Sequence, residues 1–155
     1  MKRLLALVVF VFSVNAGMVQ AAGSPPADVS FSMDIPAGAG CDFNVNWTVT
    51  GRSSMITLPG GGLIGTGPNL RVVVTNLDEP SESVTLNIQG AGHVSFGPQG
   101  EVMVTVTGRN LLGDPVANTM VLAIGTFHFI PDPTTNALIG LSGEGQLIDV
   151  CAMID

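Results

Sequence analysis

Residues 92–112 read GHVSFGPQGEVMVTVTGRNLL, and the rhythm of that segment decides the fold class. Val94 and Phe96 stand two residues apart. Gly97-Pro98-Gln99-Gly100 follows, combining a proline that presets φ with glycines that accept φ above zero. Beyond it, Val102, Val104 and Val106 recur at every second position, with Thr105 and Thr107 between them. Successive side chains of an extended strand point to opposite faces, so a period of two marks a ribbon with one face buried and one in water. The segment therefore reads as two strands joined by a tight hairpin turn.

The same period runs outward in both directions. Val29, Phe31, Met33 and Ile35 alternate, as do Cys41, Phe43, Val45, Trp47 and Val49. Leu70, Val72 and Val74 follow, then Val84, Leu86 and Ile88. Met120 to Ile130 is a longer, almost wholly apolar run, and Leu147 to Ile154 reads as the closing strand. Between them lie the polar turn Asn76 to Ser81, the breaks at Asp114-Pro115 and Pro131-Asp132-Pro133, and the glycines from Gly60 to Gly67, read as one loop. No segment carries a helical period. About eight to ten short strands with this punctuation predict an all-β domain. The expected architecture is an antiparallel two-sheet β-sandwich, Ig-like or jelly-roll-like, with a closed β-barrel as the alternative.

The N-terminus obeys different rules. Met1-Lys2-Arg3 is basic, Leu4 to Val14 is apolar, and Val19-Gln20-Ala21 has the small-x-small form of a cleavage site. An apolar core of this length spans about 16 Å, roughly half the hydrocarbon thickness of a bilayer. Residues 1–21 are therefore expected to be a signal peptide, 22–27 a flexible leader and 28–155 a single domain, secreted or held at the cell surface. Cleavage would remove Lys2 and Arg3. Arg52, Arg71 and Arg109 would then face all 12 acidic residues, in a chain that is 46% hydrophobic but only 11% charged. Soluble proteins average about a quarter charged residues, so this surface is sparse in charge and acidic where charged. Polyanions are repelled by such a surface, which excludes nucleic acid as a partner and argues against membrane association once the signal is removed.

An exported chain meets an oxidising compartment, where two cysteines pair. Cys41 and Cys151 are therefore expected to form a disulfide that ties the second strand to the last. Trp47 shares the phase of Cys41 and Val45 and is expected to pack beside it.

Groups able to carry chemistry are few. His93 and His128 are the only histidines. Neither lies in a nucleophile-elbow, H-E-x-x-H or H-x-H pattern, so no catalytic and no metal-binding residue is assigned and no cofactor is expected. Asp78, Glu79 and Glu82 form an acidic turn, but their spacing is not that of an EF-hand loop and Pro80 suits an ordinary solvated turn. The glycine run at 60–67 lacks the lysine of a phosphate loop. Asn46-Trp47-Thr48 matches a glycosylation sequon in mid-strand. Thr107-Gly108-Arg109-Asn110 admits two readings. Arg109 either pairs with a carboxylate and pins the Leu111–Pro115 loop or, with Asn110, receives an anionic ligand.

The stretch from Gly92 to Leu112, the export signal, the early Cys41 and the late Asp149-Val150-Cys151-Ala152 together resemble small secreted proteins widespread in actinobacteria. The resemblance spans nearly all of the exported chain. It implies a secreted β-domain and carries no catalytic residue onto any position. The expected function is a secreted, non-enzymatic binding or structural domain whose partner is a protein or small ligand. The alternatives are a small extracellular hydrolase using His93 or His128, and a subunit of a cell-surface filament or coat.

Overall fold

The computed structural model describes residues 25–155. The signal-peptide segment lies outside them, as do the first residues of the expected leader. Nine strands form: β1 (Ala27–Ile35), β2 (Val45–Thr57), β3 (Leu63–Thr66), β4 (Arg71–Asn76), β5 (Ser83–Asn87), β6 (Gly90–Phe96), β7 (Val102–Asp114), β8 (Thr119–Pro131) and β9 (Leu138–Asp149). A 3-10 turn, Cys151–Met153, follows β9. The all-β expectation holds, and no α-helix occurs among the described residues.

All strand pairs are antiparallel. They join into one hydrogen-bonded sheet in the order β5-β4-β2-β3-β6-β7-β8-β9, with β1 added to β2. The long β2 is the bridge: Val45–Thr50 pair with β4, and Ser54–Thr57 pair with β3. The two end strands, β5 and β9, do not pair with each other, so the sheet is open and the barrel alternative is corrected.

Packing shows how the sheet bends. One core gathers Val45, Trp47, Val49, Val72, Val74 and Leu86 from β2, β4 and β5 around Leu111, Met120, Leu122, Val150 and Ile154. A flat sheet would hold β2 and β8, four places apart, about 19 Å from each other. Yet Trp47 Nε1 donates to Met120 Sδ at 3.3 Å. The sheet has curled until its first half lies over part of its second. A separate core, including Val94, Val104, Val106, Phe127 and Phe129, fills the opposite face of β6, β7 and β8.

Four readings of local structure change. The strand expected from Cys41 starts only at Val45, because Cys41 belongs to a turn in which Gly38 N–H donates to Cys41 O. The glycine run is not one loop. Gly60 and Gly61 sit in the turn where Leu58 N–H donates to Gly62 O, and Leu63–Thr66 is strand β3. Leu111–Asp114 is strand, not loop. The closing strand is Leu138–Asp149, and Cys151 lies past its end, where Asp149 Oδ1 accepts the Ala152 N–H and turns the chain.

Candidate functional site

The disulfide forms as expected, joining Cys41 to Cys151 with Cα atoms 5.6 Å apart. It clasps the turn before β2 to the turn after β9. Asn76, the one buried polar residue among those described, completes the clasp: its Nδ2 donates to Ile154 O at 3.0 Å, while its Oδ1 accepts the Asp78 and Glu79 N–H groups. The acidic turn is thus held by backbone bonds, and Asp78 further accepts the Asn44 amide at 3.0 Å. Among the described residues, no three His, Cys, Asp or Glu side chains assemble into a metal-binding group.

The sequon asparagine is engaged. Asn46 Nδ2 donates to Asp34 Oδ1 at 2.7 Å and to Ser32 Oγ at 2.9 Å, within a polar cluster across β1 and β2. Arg109 and Asn110 serve the backbone: Arg109 Nε donates to Asn87 O at 3.1 Å, and Asn110 Nδ2 donates to Thr107 O at 2.9 Å. Arg109 thereby pins β7 to the end of β5. The partner is a carbonyl rather than the carboxylate expected, and the bond ties β7 to β5 rather than pinning residues 111–115, of which Leu111–Asp114 are themselves strand.

The feature that spacing could not show is a row of side chains across the sheet. Pairing sets Ile64 opposite His93, His93 opposite Thr105, Thr105 opposite His128, and His128 opposite Ser142. Directly opposed residues share a face, so both histidines stand on the same side of β6, β7 and β8, with Thr105 between them. Their backbones lie two strand spacings apart, about 10 Å. Thr105 Oγ1 and His128 Nδ1 share a 2.8 Å hydrogen bond. Outside the strand ladder, the His93 imidazole forms no hydrogen bond or ion pair with another described residue, and neither imidazole has a carboxylate partner among them.

The row is exposed because only part of this face is covered. Leu111, Leu122 and Ile124 on the same face pack into the first core. Thr107, Thr126 and His128 face solvent, with Met103 43% and Ile130 40% exposed beside them. A line of glycines separates the two parts, pairing Gly90 with Gly108, Gly108 with Gly125 and Gly125 with Gly145. The bare part is therefore a ledge of hydroxyls and two imidazoles, fringed by methionine and isoleucine. Such a ledge can exchange hydrogen bonds with a ligand and bury modest apolar area.

No family model, curated protein or solved structure matches the chain.

Proposed function

We propose that this is an exported, non-enzymatic binding domain that recognises its partner on the bare ledge of β6, β7 and β8. One observation carries the reading. A face whose other part is closed by a second layer stays open where it presents Thr105, Thr107, Thr126, His93 and His128. Antiparallel sheets tolerate one solvated face, and recognition residues mounted on paired strands are held more rigidly than residues on loops. We read the curled sheet as a β-sandwich built from one continuous ribbon, a reading supported by the core that β2, β4 and β5 share with β7 and β8. The disulfide suits an oxidising compartment, and the resemblance to small secreted actinobacterial domains points the same way. The hydrolase reading is not favoured, because His128 spends Nδ1, the nitrogen that an orienting carboxylate would hold, on a threonine hydroxyl.

The test has two parts. The N-terminal residue of the chain recovered from culture medium should be Ala22; recovery of the uncut chain from membranes would overturn export. The immobilised domain should retain a cell-envelope or medium component that is lost with Thr105→Lys combined with His128→Glu, and kept with the remote Thr85→Lys. Equal capture by all three proteins would overturn the ledge.

A further inference from the structure

We propose that the free edge of β9 accepts an extended, basic peptide strand from the partner, adding it to the sheet beside the ledge. The inference rests on the binding reading above and gives it a chemistry.

Three strands pair on one side only: β1, β5 and β9. Proteins protect such edges by shortness, prolines or charges. β5 has 5 residues. β1 is flanked by Pro26 and Pro36 and carries Asp28 and Asp34. β9 has 12 residues, no proline and a single mid-strand charge, Glu144. A bulge at His128 to Ile130 interrupts its pairing, so the regular edge runs from Ser142 to Asp149. Almost all of it is exposed.

The edge also describes its occupant. Ser142, Glu144 and Gln146 point to the ledge side, while Gly143, Gly145 and Leu147 alternate on the other, so the two faces of an added strand meet different surroundings. Small or apolar side chains fit over the glycines and Leu147, and cationic ones fit beside Glu144. Charge agrees: beyond Arg109 the chain has no Lys or Arg, but it has Asp114, Asp132, Glu144, Asp149 and Asp155. A second copy would bring the same acids to the same edge, whereas a basic strand would be drawn in.

The probe is a synthetic peptide of alternating valine and lysine, titrated against the disulfide-intact domain. Fluorescence anisotropy should show binding that weakens with salt, and hydrogen exchange should slow at amides within Ser142–Asp149. Glu144→Lys should weaken binding by about tenfold or more. Methylating alternate backbone nitrogens of the peptide should abolish it, because the ladder needs those donors. Equal binding of a valine–glutamate peptide, or of the methylated peptide, would overturn the proposal, as would a concentration-dependent dimer that protects the same amides. No peptide binding, alongside a ledge variant that still loses its captured component, would overturn the edge and leave the ledge standing.

Discussion

Trp47 and Met120 meet across the main core, the indole N–H of the first lying 3.3 Å from the thioether sulfur of the second. Both are buried, at 3% and 1% exposure. One belongs to β2 and the other to β8, so this contact marks how far the sheet has curled. Sulfur is a weak acceptor but a polarisable neighbour for an aromatic ring. Met120→Leu keeps the volume and removes the acceptor, leaving a buried donor unpaired. The expected loss is about 1–3 kcal/mol. Met120→Ala adds a cavity and should cost about 2–5 kcal/mol. Trp47 is the only tryptophan, so urea denaturation followed by its fluorescence reads both directly. A Met120→Leu variant as stable as the native protein would show that the sulfur contributes packing alone.

The Cys41–Cys151 bridge closes a loop of sequence separation 110. Chain-entropy arguments assign such a loop about 4–5 kcal/mol. Replacing both cysteines with alanine should lower the stability by that order while the Asn76–Ile154 bond still tethers the C-terminal turn. Near-unchanged denaturation midpoints for the double variant would contradict it.

Much of this architecture is written in the chain, and the exceptions have physical causes. Strands β1 and β5 announce themselves because apolar and polar residues alternate along them, β4 because Val72 and Val74 keep the same period, and β8 because Met120 to Ile130 is a long, almost wholly apolar run. The hairpin of β6 and β7 is marked by Gly97 to Gly100, where Gly97 N–H donates to Glu101 O as a tight turn requires. Strand β3 is hidden because Leu63-Ile64-Gly65-Thr66 sits among glycines without alternation. Most of β9 is hidden for a related reason: an edge strand buries little, so LIGLSGEGQLID has no strong apolar phase. In the sequence Cys151 reads as a continuation of that strand because Val150 and Ile154 are apolar, yet these two buried residues flank a 3-10 turn. The ledge was illegible in a deeper sense. His93 and His128 lie far apart in sequence, and only the register of β6, β7 and β8 places them in one row. Arg109 and Asn110, by contrast, stand out by residue type but are occupied by carbonyls.

Asp132 sits in the turn between β8 and β9, where its carboxylate accepts the Thr134 and Thr135 N–H groups at 2.8 and 2.7 Å. The Thr135 backbone bond, with those of Thr134 and the Thr135 side chain, holds its pKa below the ordinary 3.8. A carboxyl depressed in the folded state adds stability above its unfolded pKa and loses it as pH falls through the folded value. The turn should therefore loosen only in acid below the ordinary carboxylate range. Carbon-detected NMR titration should show Asp132 protonating below the ordinary carboxylate value of 3.8. Thr135→Val, which removes the hydroxyl, should move Asp132 upward; an unmoved titration would remove the side chain from the explanation.

Glycine at 125 is required by two independent facts. Its φ is +139°, a conformation other L residues rarely adopt, and a Cβ built there would lie 2.2 Å from Glu144 O on the facing strand. Neither can relax by rotating a side chain, because the obstacle is the backbone of β9. Gly125→Ala must therefore push β9 from β8 or rebuild the local twist, and should cost more than about 3 kcal/mol. Gly113 in β7 is the internal control. A Cβ there would meet only the Trp47 ring, at 4.0 Å, an ordinary contact. Gly113→Ala should be neutral or stabilising by about 0.4–1 kcal/mol, since it restricts the unfolded chain without straining the folded one. Thermal denaturation of the two variants should separate them widely, and hydrogen exchange should place the damage of Gly125→Ala at Glu144 and Gly145. Equal melting temperatures would mean that the glycine line across β7, β8 and β9 is incidental to the close approach of those strands.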